Sequence, residues 1–258
     1  MLIDRVTEFR KELTEYVDAL RGRSQKNYLA EFAITRKFNI DTLYDLGIIY
    51  IKDMSEMLIP KFLDRLEDFG VISPTNKKPI FSDRYLIPIY DVNGLVQGLV
   101  GYSLSSKARY VYATTKYFQR SDIMYNMQCY EKCIEKGYAI VTEGITDAIR
   151  LIDMGFECVM ATAGAHESLF MMQMLDTGMC TIFVPDRDRA GDGTKEYWIT
   201  TNYVRLLVPF TYKDIDEYAR EEKNRWNVTE FIHMVIDYVL GKNADNVKLL
   251  GEELPIYA

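Results

Sequence analysis

Two aspartates separated by one residue follow a short apolar run, and this pattern indicates a site for chemistry. The run is 181–185, and Asp186 and Asp188 come directly after it. Small residues at 190, 191 and 193 leave the backbone open to a ligand. Carboxylate oxygens are the ligands that Mg²⁺ prefers, so the pair predicts a metal site. The same two aspartates would also suit a turn and a helix N-cap, and the pair by itself leaves both interpretations open.

The segment around these aspartates alternates between strand-like and helix-like patterns. The predicted strands are 138–143, 157–163, 180–186 and 208–212. The predicted helices between them are 145–155, 166–178 and 193–207. This alternation is typical of a parallel sheet with crossover helices. A further amphipathic helix is expected over 228–240.

Further acids follow the other predicted strands of this sheet. Glu143 ends the first strand, Gly144 follows it, and Asp147 lies one helical turn on. Asp214 and Asp216 follow the fourth strand. Because the carboxyl ends of parallel strands meet at one edge, these acids are expected to converge. Their mutual repulsion is tolerable where divalent cations neutralise it, which favours a metal site over a turn.

The first part of the chain has a different pattern. Residues 3–70 show the three- and four-residue apolar spacing of helices, and Gly70 closes the region. Residues 85–102 then read as a β-hairpin around the turn sequence "DVNG". Strand-like sequence continues to about 118, and a helix is expected over 121–136. The sequence therefore predicts an α/β protein, with an α+β lobe preceding the parallel-sheet domain.

Composition places the chain among globular proteins. Of its 258 residues 48% are hydrophobic and 27% charged. No apolar run approaches the length of a membrane span, and the charged N-terminus is unlike a signal peptide. We therefore expect a cytoplasmic protein with no membrane partner. The four cysteines form no C-x-x-C pair, so reduced thiols and no zinc are expected.

Charge is distributed unevenly along the sequence. Residues 1–138 carry 20 Lys and Arg against 18 Asp and Glu, whereas residues 139–258 carry 11 against 20. Residues 77–120 hold seven basic residues, two acids and eight aromatics. Such a segment could bind a polyanion through phosphate contacts and stacking. It could equally be a sheet whose aromatics face the core and whose lysines are solvated.

Several motifs together resemble a known family. "VTEGITDAIRL" (141–151) and "PDRDRAG" (185–191) resemble the Toprim domain, a metal-binding fold shared by primases, topoisomerases and some nucleases. The segments 81–104, 109–126 and 212–218 resemble bacterial DnaG-type replicative primases. The similarity covers roughly 25–240, which is most of the chain.

This resemblance implies roles for particular residues. The implied catalytic residues are Glu143, Asp186 and Asp188. The implied metal ligands are Glu143, Asp147, Asp186, Asp188, Asp214 and Asp216. The implied nucleic-acid or nucleotide contacts are Arg84, Arg109 and Arg120. The expected cofactor is Mg²⁺ or Mn²⁺, with two or more ions. The expected domains are a template-binding lobe (1–137), a Toprim catalytic domain (138–226) and a C-terminal helix and tail (227–258).

The resemblance also implies an activity. A DnaG-type core makes short RNA primers from ribonucleoside triphosphates on single-stranded DNA, and works with a replicative helicase or another replisome protein. Arg187 stands where this family usually has glycine, and Tyr102 where it usually has arginine. Neither a zinc ribbon nor room for a helicase-binding domain is evident. We therefore expect a bare polymerase core, encoded by a phage and acting in the host cytoplasm, or an excised fragment.

Two other functions remain open from the sequence. A Toprim nuclease would use the same acids to cleave a phosphodiester. A non-catalytic replisome adaptor would keep the fold and bind DNA or helicase. The full set of acids favours catalysis, whereas Arg187 and Tyr102 favour the adaptor.

Overall fold

The structure is a computed structural model in which the chain divides into two compact units. The described residues are 2–113, 115, 117–118, 123–163, 175, 177–187, 203–209 and 211–241. The units are Met1–Arg120 and Ser121–Ala258. One contains an antiparallel sheet and the other a parallel sheet, each with helices, so the expected α/β class is confirmed. The division by function at residues 137 and 226 stays a prediction.

The first unit is built on a four-stranded antiparallel sheet in the order β1-β2-β3-β4. Its helices are α1 (Leu2–Arg23), α2 (Ala30–Arg36), α3 (Ile40–Asp45) and α4 (Met54–Met57). Its strands are β1 (Ile49–Ile51), β2 (Arg84–Tyr90), β3 (Val96–Tyr102) and β4 (Tyr110–Tyr112). The predicted hairpin is therefore confirmed as β2 and β3. The prediction of helix throughout 3–70 was wrong at β1, because this alternately buried segment pairs with β2.

Helix α1 supplies much of the core of this unit. Phe9, Leu13, Tyr16 and Leu20 recur at three- and four-residue spacing and are all buried. They belong to one hydrophobic cluster with residues of β2 and β3, which include Leu99. The opposite face of α1 is charged and exposed, as its amphipathic pattern requires. Across the described ranges, no helix combines the length and the apolarity that a membrane span needs.

The second unit is built on a four-stranded parallel sheet in the order β6-β5-β7-β8. Its strands are β5 (Tyr138–Thr142), β6 (Val159–Ala161), β7 (Cys180–Val184) and β8 (Tyr203–Arg205). Its described helices are α5 (Tyr130–Lys136), α6 (Ile145–Asp153), α7 (Ile215–Ala219) and α8 (Glu222–Val239). Strands β5 and β7 are buried throughout, which explains their continuous apolar sequences. All four strands run in one direction, so their carboxyl ends share one edge.

The last strand of this sheet differs from its predicted position. The sequence predicted a helix over 193–207 and a strand over 208–212, whereas β8 spans Tyr203–Arg205. Strand β8 pairs with β7, and the ladder ends before Pro209, which has no N–H to donate. The predicted helix 166–178 lies almost entirely outside the described residues.

Candidate metal centre

The central strands β5 and β7 bring two of the predicted site residues together. Thr142 of β5 lies opposite Val184 of β7 in the parallel register. Glu143 and Asp186 follow these strands at the same edge of the sheet. The backbone N–H of Asp186 donates to Glu143 Oε2 at 3.3 Å. The two residues that the strand-end argument placed together are therefore neighbours.

Two further carboxylates converge on that of Asp186, and we call the three of them the acidic triad. They are Asp147, Asp186 and Asp214, and each offers an oxygen that lies within 4.8 Å of the others. Asp147 comes from the first turn of α6, and Asp214 is the N-cap of α7. Asp147 is buried, whereas the side chains of Asp186 and Asp214 are 15% and 17% exposed. Three oxygens so arranged can coordinate one divalent cation from a partly open side.

Gly144 makes room for the triad at the start of α6. It is the N-cap residue of that helix and has an ordinary extended conformation, with φ −94°. Other residues can adopt this conformation, so the conformational freedom of glycine does not explain why glycine stands at position 144. A Cβ at this position would lie 2.3 Å from Asp147 Oδ2, far inside van der Waals contact. The absence of a side chain at Gly144 thus allows Asp147 to turn its carboxylate back over the helix N-terminus.

The electrostatics of the triad favour a bound cation. Burial, reinforced by the charges of Asp214 and Asp186, raises the pKa of Asp147 well above its usual range. Lys213 lies against the other two acids, with Nζ 2.5 Å from Asp186 Oδ2 and 3.8 Å from Asp214 Oδ2. Although burial works against its charge, the hydrogen bond to Asp186 raises the pKa of Lys213. The triad therefore already holds one positive group.

Asp216 was also expected among the metal ligands, and the structure surrounds its carboxylate with arginines. Its side chain is fully buried. Oδ1 accepts hydrogen bonds from Arg150 at 3.0 and 2.9 Å, and Oδ2 accepts from Arg220 at 3.1 and 2.7 Å. The backbone N–H of Asp216 donates to Asp147 Oδ1 at 3.0 Å. Asp216 therefore contacts the triad through its backbone.

The predicted basic contacts lie in the first unit. Arg84 begins β2, and its Nη1 donates to the carbonyl oxygens of Ala108 at 2.9 Å and Arg109 at 3.3 Å. These bonds hold the connection between β3 and β4, and they leave Arg109 exposed. Two predicted site residues, Asp188 and Arg120, lie outside the described residues.

The aromatic side chains of this segment contribute mainly to the core. Tyr85 and Tyr102 are 3% and 2% exposed and pack on Phe32 at ring distances of 4.6 and 5.1 Å. Phe118 is buried against Gly98, where a Cβ would overlap its ring. The core interpretation therefore holds for these three residues, including Tyr102. Tyr110 is half-buried and remains accessible to a ligand.

Sequence reasoning missed the cations that surround the acids. Lys213 directly precedes the predicted acid Asp214, and this adjacency was a usable signal. Arg150 lies three residues after Asp147 on α6, where a helix brings side chains to the same side. Its pairing with Asp216 spans 66 residues, however, and follows only from the packing of α6 near α7.

Comparison with known proteins shows sequence similarity to DNA primases. No family model matches the chain. A DNA primase of Helicobacter pylori strain J99 is 32% identical over 136 residues, which are 50% of this chain and 24% of that protein. A DNA primase of Clostridium acetobutylicum is 25% identical over 254 residues, which are 90% of this chain and 42% of that protein. The chain thus spans less than half the length of these curated relatives.

Solved structures define the class of the fold. The zinc-binding and RNA polymerase domains of Aquifex aeolicus primase match with a TM-score of 0.73 at 20% identity, over 88% of this chain and 61% of that one. A DnaG primase catalytic domain bound to single-stranded DNA matches with a TM-score of 0.72 at 18% identity, over 88% and 80%. The fold is that of a primase catalytic core. The predicted resemblance to DnaG-type primases is confirmed.

Proposed function

We propose that this chain is the polymerase core of a DNA primase that joins ribonucleotides on a single-stranded DNA template. The acidic triad at the carboxyl edge of the parallel sheet carries the proposal. The similarity to DNA primases and the fold shared with a catalytic domain bound to single-stranded DNA support it. Transfer of a nucleotidyl group requires a cation site of this kind, because negative charge accumulates on the phosphate and on the leaving group.

The residues present fit a divalent cation. The triad offers three carboxylate oxygens within 4.8 Å of one another, and the ammonium group of Lys213 already lies against two of them. Mg²⁺ or Mn²⁺ is the proposed cofactor, since both take hard oxygen ligands. When bound, two or more such ions would activate the 3′-hydroxyl and stabilise the departing pyrophosphate. Asp188 is proposed as a further ligand.

Glu143 and Asp216 have different proposed parts in this chemistry. Glu143 Oε2 accepts a hydrogen bond from the Asp186 N–H, so its carboxylate lies beside the backbone of a triad residue. It would accept the proton of the attacking hydroxyl, or hold a cation through a water molecule. Asp216 was expected among the metal ligands, and we propose that it supports the centre through its backbone: its N–H orients Asp147 Oδ1, while its carboxylate stays paired with Arg150 and Arg220.

The template and the nucleotides are proposed partners of the basic residues. Exposed Arg109 would contact phosphates, and Arg84 would fix the connection that carries it. Arg120 is proposed for the same surface. Ribonucleoside triphosphates, a replicative helicase or another replisome protein, and a cytoplasmic location in a phage-infected host complete the proposal.

Ribonucleotide incorporation tests the proposed activity. The full chain is incubated with single-stranded DNA, ribonucleoside triphosphates and Mg²⁺ or Mn²⁺, with and without a replicative helicase. We expect slow primer synthesis that the helicase stimulates, and easier extension of an annealed primer. Asp186→Asn should lower the rate at least 100-fold, an effect of the size expected for loss of a metal ligand. Glu157→Gln, which removes an exposed acid bonded to Lys132, serves as the matched control.

The alternative functions give different results in the same assay. Cleavage of the DNA with no incorporation would favour a Toprim nuclease. Binding of DNA or helicase, with no incorporation under any metal condition, would favour the adaptor. Fast and sequence-selective initiation by the chain alone would contradict the expectation of a weak primase.

DNA binding tests the proposed role of the basic residues. Arg109→Ala should weaken binding of single-stranded DNA and reduce the slope of its salt dependence by about one, because one phosphate contact is lost. Lys61→Ala is the control, since Lys61 is an exposed cation of the same unit that pairs with Glu15. Equal effects of the two variants would show a general charge effect and contradict a specific role for Arg109.

A further inference from the structure

The backbone of Lys213 is fixed by hydrogen bonds, whereas its side chain is mostly exposed. Its backbone N–H donates to Glu217 Oε2 at 2.7 Å, and its carbonyl oxygen accepts from the Arg187 N–H at 2.6 Å. Its side chain is 58% exposed and ends 2.5 Å from Asp186 Oδ2. The backbone therefore keeps the side chain beside the triad, while the four-carbon stem leaves the ammonium group free to change its partner.

The contact between Lys213 and the triad is readily broken. An ion pair with an exposed, well-hydrated ammonium group contributes little, because water and salt screen the attraction. The acids that it neutralises are much less exposed, at 15% for Asp186 and 17% for Asp214. When the contact breaks, water can solvate the exposed ammonium group, whereas the less exposed acids lose their compensating charge.

We propose that Lys213 is an exchangeable counter-ion of the acidic triad. This inference rests on the proposed metal centre. The ammonium group balances Asp186 and Asp214 while no divalent cation is present, and it leaves them when one binds. The ammonium group occupies Asp186 Oδ2, and a divalent cation at the triad would need the same carboxylate, so binding of the two cations is competitive. Lys213 thus lowers the affinity of the centre for a bare cation.

The exchange also has a consequence for the proposed substrate. A cation that arrives with a polyphosphate brings anionic oxygens, and these offer the displaced ammonium group a new partner. A bare cation offers none. Lys213 would therefore favour filling of the centre by a cation–nucleotide complex over filling by the cation alone.

Metal affinity of the full chain measures this competition without an activity assay. Binding of Mn²⁺ is titrated by electron paramagnetic resonance of the free ion. Lys213→Met should bind Mn²⁺ about three- to tenfold more tightly than the unaltered protein, because a competing charge is removed. Lys213→Arg, which keeps the charge, should stay within about twofold. Lys223→Met is the matched control, since Lys223 is an exposed cation that pairs with Glu221.

The outcomes separate this inference from the proposed function. Unchanged or weaker Mn²⁺ binding by Lys213→Met, with normal binding by the unaltered protein, would overturn the counter-ion role and leave the metal centre standing. Equal tightening in Lys223→Met would overturn it too, by showing an effect of net charge alone. Failure of the unaltered protein to bind Mn²⁺ would overturn the metal centre, and the counter-ion role with it.

Discussion

Two groups of acids, each with one member on or at the start of α6 and of α7, have opposite surroundings. The acidic triad includes Asp147 of α6 and Asp214 at the start of α7, and its carboxylates lie against one another. Asp153 of α6 and Asp216 of α7, which we call the arginine-paired acids, have side chains no more than 1% exposed and lie against guanidinium groups. Asp214 and Asp216 are two residues apart, so at a helix start they point in different directions. Spacing alone therefore does not decide which acid serves a metal.

The difference shows how the protein handles buried negative charge. Buried carboxylates need a positive partner, because moving a charged carboxylate out of water costs far more free energy than moving a neutral group does. The arginine-paired acids receive it from Arg150, Arg220 and Arg225 within the fold. The triad receives it from Lys213, an exposed and exchangeable group. Where the positive partner is an arginine of the fold, the result is a structural ion pair. Where it is an exposed lysine that can move away, the carboxylates can bind a metal cation instead.

Removing Arg150 should have the largest effect on stability. Arg150 is fully buried, and Arg150→Met would leave the buried Asp216 short of a partner. We expect the free energy of unfolding to fall by about 3–5 kcal/mol, as when one member of a buried pair is lost. Urea unfolding monitored by circular dichroism measures it. Arg225→Met, which removes a partly exposed partner of Asp153, should cost at most about 1 kcal/mol. Equal losses of stability in the two variants would show that the buried Arg150 contributes no more than the partly exposed Arg225.

Filling the space at Gly144 should have the next largest effect. Gly144→Ala places a Cβ 2.3 Å from Asp147 Oδ2, so the carboxylate must move. We expect a loss of about 1–3 kcal/mol in the free energy of unfolding, typical of overpacking, together with weaker Mn²⁺ binding. Gly22→Ala in α1 meets no atom within 4 Å and should be neutral or stabilising. Normal metal binding by Gly144→Ala would show that Asp147 does not need this space.

Neutralising one member of the triad should have the smallest effect, and one of opposite sign. Asp147→Asn removes a buried charge beside two other acids and keeps an oxygen that can accept the Asp216 N–H. In the presence of EDTA we expect the free energy of unfolding to rise by about 1 kcal/mol. With Mn²⁺ added, the unaltered protein should gain stability by linkage and Asp147→Asn should not. Destabilisation of this variant in EDTA would place Asp147 with the arginine-paired acids.

The comparison also shows what the sequence could predict. Glu143 and Asp186 could be found because strand patterns and parallel topology place strand ends at one edge. The buried positions of Tyr85 and Tyr102 could not be predicted, because aromatic side chains suit both a core and a surface on which bases stack. The roles of Arg150 and Asp216 depend on tertiary packing across 66 residues, for which a single sequence holds no signal. Strand β8 was misplaced because its three residues continue a helix-like pattern.

Anomalous scattering from Mn²⁺ in crystals of this protein tests the central claim most directly. The acidic triad, whose counter-ion Lys213 can move away, should bind the ion, whereas the arginine-paired acids should not. We expect a peak bounded by Asp147, Asp186 and Asp214, with the Lys213 ammonium group moved away from Asp186. A peak at Asp216 with none at the triad, or no peak at a saturating concentration of Mn²⁺, would contradict it.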